Sequence, residues 1–153
     1  MFKTAMERSR ELFGSGWYCA ESVLMAVAEH QAMTCECIPK IATGFCSGLS
    51  RSGGMCGALT GAVLAVSLIL GRDEASEPVD DCYRATKEMT DGFIELFGAD
   101  TCQSLTGCHL GTDEGQVRFR AENMHEQCLN FVAEATRLAL TAIVSKRTSR
   151  TDQ

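Results

Sequence analysis

The run GGMCGALTGAVLAVSLIL (Gly53–Leu70) constrains the fold of this chain more than any other segment. Its last thirteen residues are apolar or small apart from Thr60 and Ser67, whose hydroxyls can bond the backbone of the preceding turn. The run is too short to cross a bilayer, which needs roughly 20 apolar residues. It therefore predicts a helix from about Cys56 to Leu70 in the centre of a folded core.

Helical signals also dominate the rest of the chain, which has only two prolines and no sustained alternation of β-branched residues. The expected fold class is all-α: a compact bundle with a buried apolar central helix and a long C-terminal helix. No composition break divides residues 1–153, so we expect one domain, with a tail that frays from about residue 146. The other predicted helices are 3–14, 20–33, 39–49, 83–97, 99–107 (with Asp100 as N-cap) and 122–146, with a loop at 108–116.

The charge and the cysteine content limit the classes of partner and compartment. A formal net charge of −6 argues against a nucleic-acid partner, which would favour a basic face. The N-terminal residues MFKTAMERSRELF lack the hydrophobic core of a signal peptide, and we expect no membrane span. The nine cysteines fall short of the roughly 8–10% that marks a disulfide scaffold. A reducing, cytoplasmic location is expected, where recurrent cysteines indicate metal or redox chemistry.

Three cysteines fall at predicted helix N-termini: Cys19 after GSGWY, Cys56 before the apolar helix, and Cys102 in TCQSLTG. Free N–H groups and the helix dipole favour an anion at such a position, so we expect a lowered thiol pKa at each of them. Thiolate is both the nucleophile and the metal ligand. Cys128 differs, because it lies on the apolar stripe of the long last helix, where a cysteine is usually a small buried hydrophobe.

Small residues follow Cys56 along one helical face, at Gly57, Ala58 and Gly61. Glycine inside a helix costs about 1 kcal/mol relative to alanine, so two of them in neighbouring turns predict that something approaches the backbone closely. The pattern allows two interpretations: tight packing of another helix, or a cofactor bound against the helix start.

Four segments resemble, in order, those of the C_GCAxxG_C_C family of redox-active proteins. They are GWYCAESVL, ATGFCSGLSRSGGMCGALTGAVLAVSLILGR, TCQSLTG and QCLNFVAEATRLAL, and the resemblance extends from about Gly16 to Ile143. The Cys-Gly-Ala-x-x-Gly element is found at Cys56 to Gly61. The four cysteines of the family pattern correspond to Cys19, Cys56, Cys102 and Cys128.

The resemblance implies an α-helical, cytoplasmic redox protein of a family often associated with transporter genes. A related domain occurs in split-Soret cytochromes, where an iron–sulfur role has been proposed for its cysteines. The leading hypothesis is therefore an electron-transfer or redox-sensing protein with an iron–sulfur cluster on the four family cysteines, which are the standard ligand type for such clusters. Their sulfurs are then expected to converge in space.

Two other chemistries stay open. In metal-free thiol–disulfide exchange, Cys56 would be the attacking thiolate and another family cysteine would resolve the mixed disulfide. A structural zinc site on the four cysteines ranks last, because the chain has no paired C-x₂-C element. No acid–base dyad, nucleophile triad or phosphate loop indicates a substrate pocket. We expect an oxidoreductase component or an electron carrier that has a redox partner protein. We also expect it to associate as a symmetric homodimer.

Five cysteines lie outside the family pattern. The CEC pair, Cys35 and Cys37, could bind a metal, form a redox link, or be an incidental loop pair. Cys46 lies on the apolar face of its predicted helix and is expected in the core. Cys82, near a helix start, and Cys108, beside His109, are candidate auxiliary ligands.

Overall fold

The computed structural model describes residues 1–151 and confirms the all-α class. Within these residues the only β-type pairing is an isolated antiparallel bridge between Met55 and Thr101. The elements are α1 (Lys3–Gly14), α2 (Cys19–His30), a 3₁₀ helix (Lys40–Phe45), α3 (Cys46–Arg51), α4 (Gly57–Leu70), α5 (Asp80–Phe97), α6 (Cys102–Thr106), α7 (Asp113–Ala121) and α8 (Met124–Thr151).

Helix α4 is the buried central helix that the apolar run predicted, and it packs against α2, α5 and α8. Leu59, Ala62 and Val66 on α4 have no exposed surface. Gly61 allows α2 to approach, since a Cβ added there would lie 2.6 Å from the Ala20 carbonyl oxygen. Close helix packing is therefore the role of this glycine.

Helix α5 buries only part of its apolar residues against the bundle. Met89 and Phe93 are buried, whereas Tyr83 is 68% exposed and Leu96 is 51% exposed. The helix ends as predicted at Gly98, which has φ 81° and donates its N–H to the Ile94 carbonyl at 2.7 Å. A left-handed residue at this position is a common helix end, and glycine adopts it without a steric penalty.

Helix α8 is the long C-terminal helix, and it continues past the predicted end at Lys146 to Thr151. Lys146 is 9% exposed and pairs with Glu88 at 2.6 Å. The last two residues of the tail lie outside the described residues. By length and composition alone, Met124–Thr148 could cross a membrane. Half of its most apolar part is buried inside the fold, as in the core helix of a globular protein.

The helix predicted across 39–49 is wrong. A 3₁₀ helix ends at Phe45, and α3 then winds left-handed, with φ between 56° and 68° at residues 47–51. The apolar residues at helical spacing are consequently not a core face, because Phe45 is 38% exposed and Leu49 is 41% exposed. Glycine at position 48 favours this reversal, since it adopts positive φ at little cost.

Two further expectations, a loop at 108–116 and an N-cap at Asp100, are wrong. Helix α7 forms within and beyond the predicted loop, capped by Thr112, whose side chain accepts the Gly115 N–H at 3.0 Å. Gly115 lies in that predicted loop, but in α7 a glycine is required there because a Cβ would overlap the His109 carbonyl. The N-cap of α6 is Thr101, which accepts the Ser104 N–H at 3.2 Å, and not Asp100.

Candidate functional site

A cavity of about 330 Å³ opens where α2, α4 and α6 begin and where α8 passes them. All four cysteines of the family pattern line it: Cys19, Cys56, Cys102 and Cys128. They come from four separate parts of the chain. The fold therefore brings the predicted residues to one cavity, with the first three at or next to the start of a helix, as the sequence suggested.

Cys56 and Cys102 are held side by side by the antiparallel bridge between their preceding residues. The Cys56 N–H donates to the Asp100 carbonyl at 2.7 Å, and the Cys102 N–H donates to the Gly54 carbonyl at 2.8 Å. Reciprocal backbone bonds of this kind fix the register of two chain segments. The two thiols are thus positioned by backbone geometry.

Cys19 is the first residue of α2, and a buried carboxylate fixes that helix start. Glu21, only 5% exposed, accepts the Tyr18 N–H at 2.9 Å and the Thr43 hydroxyl at 2.7 Å. A glutamate three residues into a helix that bonds the backbone before it satisfies an otherwise free donor. Its second bond ties the start of α2 to the 3₁₀ helix, so the position of Cys19 depends on both elements.

The left-handed segment α3 forms part of the cavity wall. Its Ser47 N–H donates to Cys19 Sγ at 3.4 Å, and a Cβ on Gly48 would lie 2.6 Å from the Cys102 Cβ. Left-handed backbone costs roughly 1–2 kcal/mol per non-glycine residue, and such conformations persist only where the surrounding structure enforces them. Here the unusual winding brings the α3 backbone against two of the four cysteines, and it places Arg51 at the cavity.

The small residues after Cys56 divide between the two interpretations that the sequence allowed. Gly57 and Ala58 line the cavity, and a Cβ on Gly57 would overlap Cys19 Sγ. Gly61 does not line the cavity and packs on the α2 backbone instead. Gly61 thus follows the helix-packing interpretation, whereas Gly57 and Ala58 lie where a cofactor against the helix start would be.

The expectation of lowered thiol pKa values at the helix starts is wrong for two of the three cysteines. Burial raises the pKa of Cys56 to about 11, although N–H groups of α4 act in the opposite direction. Burial also raises the pKa of Cys102. Desolvation disfavours the charged thiolate, and here it outweighs the helix-start effect. Burial raises the pKa of Cys128 to about 12, with further contributions from the neighbouring cysteines, Cys56 first.

The four cysteines can be compared with the ligand set of an iron–sulfur cluster. Within residues 1–151, no group of three or more His, Cys, Asp or Glu side chains is arranged to hold a metal ion. The four cysteines that line the cavity are nevertheless of the thiolate type that iron–sulfur clusters use as ligands. The residues present therefore fit a cluster in the chemistry of their side chains.

The remaining cysteines lie at varied distances from the cavity. Cys108 is 1% exposed and close enough to Cys102 and Cys128 to affect their ionisation. Cys82 is outside the cavity wall, with its thiol 3.9 Å from the Ser67 hydroxyl. The CEC pair is also outside it, and the two thiols form a Cys35–Cys37 disulfide.

Cys46 is buried as predicted, at 4% exposed, and its thiol donates to the Ala42 carbonyl at 3.5 Å. Unlike an ordinary core cysteine, Cys46 also contacts Cys19 at the candidate site. Hydrogen bonding to Cys19, followed by burial, raises the pKa of Cys46 well above its usual range. The sequence had separated these two cysteines, and the structure makes them neighbours.

The sequence did not predict the other groups that surround the thiols. Arg51, Arg120 and His125 line the cavity, and none of the Asp and Glu residues that the structure describes lines it. Neither arginine forms an ion pair within the described part of the chain, and His125 stacks on Phe13 at 4.5 Å between ring centroids. The aromatic lining residues are Phe13, Trp17, Tyr18, Phe119 and Phe131.

Comparisons with known proteins agree with the family resemblance. The family model described as "Putative redox-active protein (C_GCAxxG_C_C)" matches residues 17–142. An uncharacterized protein of Archaeoglobus fulgidus is 29% identical over an alignment 153 positions long, which includes 94% of this chain and 96% of that protein. No solved structure matches.

Proposed function

Because the chain belongs to the C_GCAxxG_C_C family of redox-active proteins, we propose that it is an electron-transfer or redox-sensing protein that holds an iron–sulfur cluster on Cys19, Cys56, Cys102 and Cys128. The observation that carries this proposal is the single cavity lined by all four cysteines. Four thiolates are the usual ligand set of such a cluster, which supplies one-electron transfer when it is bound.

The surroundings of the cysteines support this role. Apolar and aromatic walls, including Phe13 and Phe131, limit the access of water to the sulfurs. Arg51 and Arg120 bring positive charge to a site whose ligands become negative when they bind metal. Opposite charges stabilise each other more strongly in a site of low dielectric constant. The protein thus provides both ligands and a compensating field.

The raised thiol pKa values separate this proposal from metal-free catalysis by Cys56. With a pKa of about 11, the Cys56 side chain is almost entirely in the thiol form at neutral pH, and a thiol is a poor nucleophile. Metal coordination deprotonates a cysteine outright, so a buried thiol can still serve as a ligand. The burial of Cys56 is therefore better suited to ligation than to attack on a substrate.

The test is the iron and acid-labile sulfide content of protein purified without oxygen, together with its visible absorption. Serine variants of each of the four cysteines should lose most of the bound iron and the associated absorption. Cys82→Ser is the matched control, since Cys82 lies outside the cavity wall. Colourless, iron-free wild-type protein after anaerobic reconstitution would overturn the proposal, as would a Cys82→Ser loss equal to that of the four variants.

We further propose a cytoplasmic protein that exchanges electrons with a protein partner and associates as a homodimer. Exposed apolar side chains close to the cysteine-bearing segments support an apolar contact surface: Trp17 is 40% exposed, Tyr18 55% and Ile41 49%. Sedimentation should show a dimer at micromolar concentration. A monomer at all concentrations would remove the homodimer from this proposal.

A further inference from the structure

The pair formed by Cys19 and Cys46 lies beside the cavity. Cys19 is the first residue of α2, and Cys46 begins the left-handed segment α3. The N–H of Ser47, directly after Cys46, donates to Cys19 Sγ at 3.4 Å. A Cβ on Gly57 would overlap Cys19 Sγ and would lie 3.1 Å from the Cys46 Cα. The absence of a side chain at Gly57 thus leaves room for the Cys19 sulfur directly beside the Cys46 backbone.

The two thiols differ in access. Cys19 is partly exposed and lines the cavity, whereas Cys46 is 4% exposed and is not among the lining residues. A small molecule that enters the cavity can reach the Cys19 sulfur but not the Cys46 sulfur. One accessible thiol with a buried thiol behind it is the arrangement of an attacking and a resolving cysteine.

We propose that Cys19 and Cys46 form a reversible disulfide, with Cys19 as the attacking thiol and Cys46 as the resolving thiol, when the metal-free protein meets a small-molecule disulfide. Cys19 thiolate attacks one sulfur of the small disulfide, whose S–S bond breaks and releases one thiolate. The Cys46 thiol then gives up its proton as its sulfur attacks the Cys19 sulfur and releases the second thiolate, an intramolecular step that the contact between the two residues favours. The two protons lost by the cysteines pass to the two released thiolates, so one small disulfide is reduced to two thiols.

The disulfide does not depend on the proposed cluster, because it requires only that the two cysteines be neighbours. One consequence does rest on the proposed function: a Cys19 sulfur bonded to Cys46 is unavailable as a cluster ligand. Oxidation of this pair and cluster binding then exclude each other. The pair would make the redox state of the small-thiol pool a control on cluster assembly.

The experiment treats metal-free wild-type protein with glutathione disulfide, blocks free thiols, and digests with trypsin and a glutamyl endopeptidase. Cleavage after Lys, Arg and Glu places Cys19 alone in residues 12–21 and Cys46 alone in residues 41–51. A linked 12–21/41–51 peptide that disappears on reduction is the expected product. A link from Cys19 to any other cysteine, or Cys19 that stays free or ends only as the glutathione adduct, would overturn the proposal.

Two variants test the order of the steps. Cys46→Ser should stop the reaction at a glutathione adduct on Cys19, because the resolving thiol is absent. Cys19→Ser should leave Cys46 unmodified, because Cys46 is buried. Cys82→Ser is the control and should form the Cys19–Cys46 link at the wild-type rate. If Cys46→Ser gives no adduct while wild type forms the link, Cys19 is not the attacking thiol.

The consequence for the cluster has its own readout. Wild-type protein carrying the Cys19–Cys46 disulfide should take up several-fold less iron and sulfide during anaerobic reconstitution without a thiol reductant than reduced protein does. Equal loading would remove the exclusion. If reduced protein does not load either, the proposed function fails while the disulfide, measured by peptide mapping, stands or falls separately.

Discussion

The first two turns of α4 use glycine for different purposes. Gly57, in the first turn, leaves room for the sulfur of Cys19 and for the α3 backbone, at the wall of the cavity. Gly61, in the second turn, leaves room for the backbone of α2, because a Cβ there would lie 2.6 Å from the Ala20 carbonyl oxygen. A glycine in a helix therefore indicates close approach, but it does not say whether a reactive side chain or a packed backbone approaches.

The largest expected effect is at the packed glycine. Gly61→Leu should reduce the free energy of unfolding by about 3 kcal/mol or more, since the α2 backbone cannot move aside as a side chain could. Gly61→Ala should already cost about 1–3 kcal/mol, although alanine normally favours a helix. Urea denaturation measures both values.

The control for this substitution is Gly14→Ala, at the end of α1. Apart from its chain neighbours and the backbone of its own helix, no atom in the described residues lies within 4 Å of a Cβ at this position. Its stability should stay within about 0.5 kcal/mol of wild type, as for most surface changes. If Gly61→Leu unfolds at the same urea concentration as the parent, α2 and α4 do not pack as closely as described.

The second effect is the pH dependence of the stability of the metal-free protein. It depends on Cys56, at the end of α4 that faces the cavity. The pKa of Cys56 is raised by burial from 9.0 to about 11, so the folded state holds this proton more tightly than the unfolded state does. The resulting stability is fully present below about pH 9 and is lost as the pH rises through about 11. A shift of this size corresponds to about 3 kcal/mol.

Urea denaturation from pH 8 to pH 11 measures this loss. Other groups also titrate in this range, so Cys56→Ala is the comparison, and its stability should fall less steeply above pH 9. Parallel curves for the two proteins would contradict the burial argument. Cys128 extends the wild-type loss toward pH 12, because burial raises its pKa to about 12.

The sequence was sufficient for the parts of the fold that depend on local patterns. The apolar run predicted α4, observed at Gly57–Leu70, and the predicted helix end at residue 97 is the observed end of α5. Prediction from the sequence failed where tertiary contacts override the helical spacing of apolar residues. The residues from Ile41 to Leu49 have helical spacing, yet α3 winds left-handed against Cys19 and Cys102. Gly115 lies in a predicted loop but is needed inside α7, where the His109 backbone leaves no room for a side chain.

For the candidate site, the four cysteines could be identified from the sequence, whereas their environment could not. Helix-start positions suggested reactive thiols, but burial depends on residues far along the chain and raises the pKa of Cys56 instead. The contact between Cys19 and Cys46 requires the left-handed α3, which helical periodicity cannot indicate. Arg51 and Arg120 likewise reach the cavity only through the tertiary fold.

A third, smaller effect is expected at the cavity glycine. Gly57→Ala should cost about 1–2 kcal/mol, because the Cys19 thiol can rotate while the Cys46 Cα and the Ser47 N, 3.1 Å and 3.2 Å away, must shift slightly. Displacement of the thiol should also slow formation of the Cys19–Cys46 disulfide several-fold. Gly61→Ala should leave that rate unchanged under conditions where it is folded. Equal rates for Gly57→Ala and wild type would show that Cys19 does not occupy the space at Gly57.

The smallest effect concerns Thr60, which connects the two turns of α4 to the segment before α3. Its hydroxyl is 2.9 Å from the Phe45 carbonyl and 3.1 Å from the Gly57 carbonyl. Thr60→Val keeps the shape but removes the donor, so it should cost about 1 kcal/mol, the net value of a typical hydrogen bond. Thr60→Ser keeps the hydroxyl and is the matched control for the bond to Phe45. If the bond also positions α3 against Cys19, Thr60→Val alone should change the rate of Cys19 alkylation in the metal-free protein. A stability loss without that change would confine the role of Thr60 to helix packing. The Thr60 hydrogen bond would then have no effect on the reactivity of Cys19.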